Sequence, residues 1–242
     1  MSLHVYDTPE ELAGAAAREF AGRAEEAIAE RGRFAVVLAG GSTPEVMYGI
    51  LASDYDDQID WSKVYVFFGD ERAVPPHHDD SNHKMASEAL LDHVPVANVH
   101  RMRGELPPDE AAASYEEELR TFFRTEEVPR FDLILLGIGA DGHTASLFPE
   151  TAALEVSDRW VVANPVLKLD AARITLTVPA LNAARAVIFL VAGEDKAATV
   201  KEILESNADP RAYPARLIQP QGGPEWMLDR AAASMLGKGS VS

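Results

Sequence analysis

The chain contains no cysteine. That excludes disulfide bridges, a thiol nucleophile and every cysteine-based zinc site. Cations are scarce as well: 22 Lys and Arg stand against 39 Asp and Glu, a formal net charge of -17. A surface of that sign is a poor partner for nucleic acid or an anionic membrane. No apolar run is long enough to span a bilayer. The opening "MSLHVYDTPEELAG" lacks the basic start and apolar stretch of a secretory signal. No low-complexity tract, linker-like Pro/Gly/Ser run or internal repeat interrupts the 242 residues. The expectation is a soluble cytoplasmic protein, monomer or small homo-oligomer, folded as one α/β domain over 1–242. A chain of this size buries roughly three quarters of its unfolded surface and needs no covalent or metal staple.

What is present alternates between helical and strand-like segments from end to end. That order predicts an α/β fold with a largely parallel sheet and helices on both faces. The first helix is signalled by Thr8 as cap, Pro9 in the first turn and Glu11 at the acidic position of a capping box. Leu12, Ala16, Phe20, Ala24 and Ile28 mark its buried stripe, and Gly32 its stop. "RFAVVLAGG", "KVYVFFGDE" and "FDLILLGIG" are apolar throughout, as strands covered on both faces must be. "NVHRM", "RWVVANPV", "RITLTV" and "AVIFLVAG" are further strands. Helices are expected over "STPEVMYGILA", capped by Thr43 with Pro44 as its first residue, and over "SNHKMASEALLDHV" and "PPDEAAASYEEELRTFFR". Two more are expected over "EDKAATVKEILES" and "GPEWMLDRAAASML", and a loose tail over "GKGSVS". Trp61, Trp160 and Trp226 read as buried anchors.

Four of the apolar strands end in glycine and polar residues: "GGST", "GDER", "GADGH" and "GEDK". Ligands of open parallel sheets bind just beyond the carboxyl ends of the strands, so these distant loops can meet in one crevice. In "LLGIGADGHTASLFPE", Gly137, Gly139 and Gly142 fit the dinucleotide pattern G-x-G-x-x-G. The rest of that fingerprint is missing. Pro149 cuts off the long helix, and the next strand, "WVVANPV", ends without an acid. The glycines serve instead to bend the backbone and bring it close to a ligand, with Asp141 and His143 projecting from the strand end. An imidazole near neutral pKa takes a proton from water at pH 7. Asp141 either fixes its tautomer or contacts the substrate. Gly40, Gly41, Ser42 and Thr43, between a strand and a helix, form a cradle of N–H groups, hydroxyls and a helix dipole suited to an anion. No Lys follows these glycines as in a nucleotide-binding Walker loop. "HHDDSNH" fits no standard zinc spacing and reads as a polar loop, so no metal is expected. Ser146 lacks the G-x-S-x-G elbow of a nucleophile and reads as support for its loop.

The blocks "LAGGSTPEVMYGIL", "VFFGDERAVPPHHDDSNHKM", "FDLILLGIGADGHTASLFP", "RITLTVPALNAARAVIFLVAGEDKA" and "WMLD" occur in this order over nearly the whole chain. Together they resemble the glucosamine-6-phosphate isomerase/6-phosphogluconolactonase family. Within it the lactonase branch is the nearer. Deaminases carry an "IAFNEP"-like run with a Glu after "DGH", where this chain has "TASLFP". They carry "DEY" where it has Asp70, Glu71 and Arg72. The resemblance implies the α/β fold shared with glucosamine-6-phosphate deaminase and ribose-5-phosphate isomerase. It also implies hydrolysis of 6-phospho-D-glucono-1,5-lactone to 6-phosphogluconate in the oxidative pentose phosphate pathway, without metal or organic cofactor. His143 becomes the general base toward water. Arg72 and Lys196 become phosphate contacts, Arg173 a further candidate for that site, and Asp70 and Glu71 organise Arg72 and the sugar hydroxyls. Asn82 hydrogen-bonds within the same loop. The alternatives are a deaminase or isomerase on this fold, and a non-catalytic sugar-phosphate sensor.

Overall fold

The computed structural model describes residues 1–237; residues 238–242, most of the expected tail, lie outside the described residues. The chain begins β1 (Ser2–Tyr6), α1 (Pro9–Arg31), β2 (Phe34–Leu38), α2 (Ser42–Asp54), β3 (Val64–Phe68) and β4 (Asp70–Arg72). It continues α3 (Asn82–Ala86), β5 (Asn98–Val99), α4 (Pro108–Phe123), β6 (Leu133–Leu136), β7 (Val161–Val166) and β8 (Ala171–Leu176). It closes α5 (Val178–Asn182), β9 (Val187–Val191), α6 (Ala197–Glu205) and β10 (Glu225–Asp229).

Seven strands form one sheet in the order β1-β10-β9-β6-β2-β3-β5, parallel at every pairing. Its side chains alternate between two cores, as a period of two requires. Ala35, Val37, Ile134, Phe189 and Trp226 enter one core; Phe34, Val36, Leu135, Leu190 and Met227 enter the other. The second core is closed by α1 and α2 through Leu12, Phe20, Met47, Tyr48 and Leu51. The first is closed by α4 and α6, through Tyr115, Leu119, Val200 and Ile203, and by Val161 and Ile174 of a small antiparallel sheet, β4-β8-β7. This is the predicted α/β arrangement, with helices on both faces of a parallel sheet.

The caps of α1 form as the sequence predicts. Thr8 Oγ1 accepts the Glu11 N–H at 3.2 Å, Glu11 Oε2 accepts the Asp7 N–H at 3.1 Å, and Gly32 ends the helix at φ +73°. Two expectations fail. α2 begins at Ser42 with Gly41 as its cap, so Thr43 sits inside the first turn and caps nothing. The expected last helix is instead β10, followed by turns. Trp226, Met227 and Leu228 are all buried, and they alternate between the two cores. A strand set between β1 and β9 buries all three at once, which an amphipathic helix face cannot do.

From β2 the strands step outward through β3 to β5; from β6 they step the other way through β9 to β10. The order therefore reverses between β2 and β6. A crevice opens outside the carboxyl ends of the strands at such a point.

Candidate active site

The loops that follow β2, β3, β6 and β9 meet at this reversal. Gly40, Gly41, Asp70, Arg72, His143 and Lys196 line a cleft of about 270 Å³. It continues into a hollow of about 410 Å³ whose walls include Arg72, Asp141, His143, Lys168 and Arg173. Ser42 and Thr43 line a third recess, shared with Gly40, Gly41 and Lys196. The catalytic and phosphate-binding candidates of the sequence thus border one continuous depression. Because Ser42 opens α2, the unpaired N–H groups of that first turn and the positive end of the helix dipole border the recess.

The loop after β6 is tightly knotted. The Gly139 N–H donates to the His143 carbonyl at 2.9 Å, and Gly142 takes φ +79°. Thr144 Oγ1 donates to the Gly137 carbonyl at 2.8 Å, and Thr199 Oγ1 to that of Ala140 at 2.6 Å. A methyl group on Gly139 would lie 2.1 Å from His143 Nδ1 and 2.7 Å from Asp141 Oδ1. The apparent dinucleotide fingerprint thus gives way to a local purpose: its middle glycine makes room for an imidazole. Gly139→Ala is expected to break the Asp141–His143 contact. The check is the ¹⁵N spectrum of the ring, which should lose the signature of a single fixed tautomer.

His143 Nδ1 lies 2.5 Å from Asp141 Oδ1, and the ring stacks on Phe148 at 4.2 Å between centroids. Burial pushes the imidazole pKa down to about 4; Asp70 opposes this, while Lys196, Arg173 and Arg72 reinforce it. The adjacent Asp141 carboxylate also favours a proton, and does so at Nδ1. At neutral pH the ring is therefore neutral, with its proton on Nδ1 and the lone pair on Nε2. Nε2 has no hydrogen-bond partner among the described residues.

Asp70 is buried and held from two sides. Ser146 Oγ donates to its Oδ2 at 2.6 Å, and Asn82 Nδ2 to its carbonyl at 2.9 Å. Ser146 thus supports its loop, as expected. Glu71 meets only half of its expected role: it holds the Arg72 backbone but faces away from the cleft lining. Its carboxylate accepts the N–H groups of Arg72, Asn82 and His83 at 2.8, 2.8 and 2.9 Å and the Ser81 hydroxyl at 3.0 Å. It folds the 81–83 turn and does not border the cleft. Burial raises its pKa against the pull of these donors.

Arg72 and Arg173 are direct partners in the β4–β8 pairing. Neither forms an ion pair among the described residues. Arg72 donates to the Asp80 carbonyl, and Arg173 to that of Ala172 at 3.2 Å. Burial and the neighbouring Arg72 hold Arg173 below its ordinary value. Like charges placed opposite each other on adjacent strands are destabilising, and in a chain of net charge -17 counter-charges are plentiful. Asp70, Asp80 and Glu71 act on Arg173 only from a distance, so neither guanidinium is taken up by a direct ion pair and each can grip an oxyanion in bidentate fashion. Lys196 adds a third cation at the rim, paired with Asp195 at 2.8 Å.

Sequence reasoning missed Lys168, whose ammonium pairs with Asp141. No local signal marks it: it sits in a short polar-apolar turn between two strands, and only the hairpin brings it to the loop after β6. In the "HHDDSNH" loop, His78 Nδ1 accepts the Asp80 N–H at 3.1 Å and Lys84 pairs with Asp79 at 2.6 Å. No three His, Asp or Glu side chains converge in a metal-holding group among the described residues. Likewise no helix among them is long and apolar enough to cross a membrane.

A switch-point crevice holding a partly buried His–Asp pair beside a cluster of cations is the site of an α/β enzyme. The family model of glucosamine-6-phosphate isomerases/6-phosphogluconolactonase matches residues 7–227. The 6-phosphogluconolactonase of Synechocystis sp. is 49% identical over 219 residues, covering 88% of this chain and 89% of the relative. The solved 6-phosphogluconolactonase of Trypanosoma brucei superposes with a TM-score of 0.86 at 30% identity, covering 98% of each chain. A monomeric glucosamine-6-phosphate deaminase shares the fold, with a TM-score of 0.82 at 23% identity over 98% of this chain and 100% of that one. The chain belongs to the glucosamine-6-phosphate isomerase/6-phosphogluconolactonase family.

Proposed function

We propose that this chain, acting as one catalytic unit over 1–242, hydrolyses 6-phospho-D-glucono-1,5-lactone to 6-phosphogluconate. The observation that carries the reading is His143, held through Nδ1 by Asp141 at 2.5 Å, in the same cleft as Arg72, Lys196 and the glycine turn before α2. Arg72, Arg173, Lys196 and the first-turn N–H groups of α2, with Ser42 and Thr43, bind the phosphate. This fixes the lactone carbonyl near the imidazole. A water molecule attacks that carbonyl while His143 Nε2 takes its proton. As the tetrahedral intermediate collapses, the imidazolium returns the proton to the ring oxygen. The C–O bond breaks, leaving a hydroxyl and a carboxylic acid that ionises. Asp141 keeps the ring oriented and stabilises its transient charge. A lactone is electrophilic enough for this without covalent catalysis, consistent with Ser146 being committed to Asp70.

The deaminase alternative is not favoured. The Synechocystis sp. relative at 49% identity and the Trypanosoma brucei structure at 30% both carry the lactonase name, whereas the deaminase stands at 23%. The deciding assay adds freshly prepared lactone and follows acid release. Acceleration well above the spontaneous rate is expected; none would end the proposal. Glucosamine 6-phosphate should release no ammonia.

The pH profile follows from the direction of the His143 shift. A general base works only when unprotonated, so activity falls as pH drops through its pKa. Burial moves that limb below the roughly 6.5 of a free imidazole, toward about 4. The expected profile of kcat, which is free of the substrate phosphate's own ionisation near pH ~6, is level from neutrality down past that pH. A limb centred at or above the free-imidazole value contradicts the assignment.

A further inference from the structure

The Asp141 carboxylate serves two partners. Its Oδ1 faces His143 Nδ1 at 2.5 Å, and its Oδ2 pairs with the Lys168 ammonium. The same ammonium lies 4.8 Å from the centroid of Phe148, whose ring stacks on His143. Imidazole, carboxylate, ammonium and phenyl ring therefore close a circle beside the cleft. Lys168 comes from outside this loop: it sits on the single turn Leu167–Leu169 that joins β7 to β8. That turn is closed by Asp170 at φ +46°, and Leu167 beside Lys168 is 92% exposed.

From this geometry we infer that Lys168 is a positioning residue for the His–Asp pair, holding one oxygen of Asp141 so that the other presents a fixed, partly neutralised acceptor to His143. The inference rests on the role given to His143 above and adds a residue to it. Two physical consequences follow. A carboxylate tied at both oxygens cannot rotate away from the ring. Its charge is also shared with a cation, so it orients the imidazole without drawing it into a standing ion pair. The charged groups facing His143 are Asp141 on its own loop, Lys168 on the β7–β8 turn, Asp70 and Arg72 on β4, Arg173 on β8 and Lys196 ahead of α6. Of the cations among them, Lys168 is the one paired with the carboxylate that touches the ring.

The test titrates the His143 ring by NMR in the full chain without substrate, assigned among the seven histidines by comparison with H143Q. K168M frees Asp141 and should raise the ring's midpoint by about one pH unit. K168R should keep the original midpoint. In a D141N background, adding K168M should leave it nearly unmoved. Lys168 is about half exposed, so the fold is expected to survive, checked by thermal melting. An unmoved midpoint in K168M overturns the inference, because it makes Lys168 a surface lysine or a substrate contact alone. An equal rise with and without Asp141 also overturns it, because the lysine then acts by distance alone. In the lactonase assay the acid limb of kcat should move in the same direction as the NMR midpoint. If the NMR series behaves as expected but the wild-type chain does not hydrolyse the lactone, the proposed reaction fails while the positioning role stands.

Discussion

Replacing His143 by alanine should lower kcat by about 10²–10⁴-fold, the range a positioned general base supplies. KM should change little, because the groups proposed to grip the phosphate lie on β4, β8, the turn before α2 and the turn before α6. Under the proposed mechanism the two parameters separate, with the imidazole acting on water in the transition state and the guanidinium groups holding the substrate before and during reaction. The fold should persist, since the ring is only partly buried and Phe148 remains in place beside it. Initial rates over a range of lactone concentrations, corrected for spontaneous opening, make the measurement. A variant with near-wild-type kcat removes His143 from the mechanism. A variant that loses only affinity makes it a binding residue.

The opposite split is expected at the cationic clamp. Each hydrogen bond between a guanidinium and phosphate contributes about 1.5–3 kcal/mol, roughly 10–150-fold in affinity. Arg72→Ala should therefore raise KM for the phosphorylated lactone by an amount in that range, with kcat falling less. The effect should be nearly absent with unphosphorylated glucono-1,5-lactone, which has nothing for the clamp to hold. Arg173→Ala should show the same selectivity. The double variant should lose less than the product of the single losses. Arg72 and Arg173 are direct cross-strand partners, and removing one relieves the repulsion on the other. Equal losses with both lactones would move the clamp away from the phosphate. The stability of the single variants should equal or exceed that of the wild type, because the two like charges face each other across the strands.

Much of this arrangement is legible in one dimension. The three strands that are apolar throughout identify a sheet covered on both sides, and their glycine-polar ends locate the crevice. The capping residues of α1 stand where the sequence puts them, because a cap is a contact over three or four residues and the chain spells it out locally. β10 escapes such a reading for the converse reason. "EWMLD" has no local preference strong enough to decide between helix and strand, and its fate is set by β1 and β9, more than 30 residues away at the nearer edge. Gly139 reads in sequence as part of a bending loop. Its deeper requirement, clearance for the His143 ring, is a side-chain contact invisible to a glycine count.

The amino-acid sequence by itself determined the class of fold and the loops that border the cleft, because these rest on periodicity, caps and short-range spacing; the choice of His143 as the proposed base came from the resemblance to the family. Only the tertiary structure decided that Arg72 faces Arg173 across a second small sheet, that Glu71 serves a turn and not the cleft, and that Lys168 shares the carboxylate of Asp141. The first and last of those pairings join residues separated by long stretches of chain, and even the Glu71 contacts close a loop of 10 to 12 positions. They exist because two cores and a strand order that reverses between β2 and β6 bring the segments together, and no local property of either partner specifies the other.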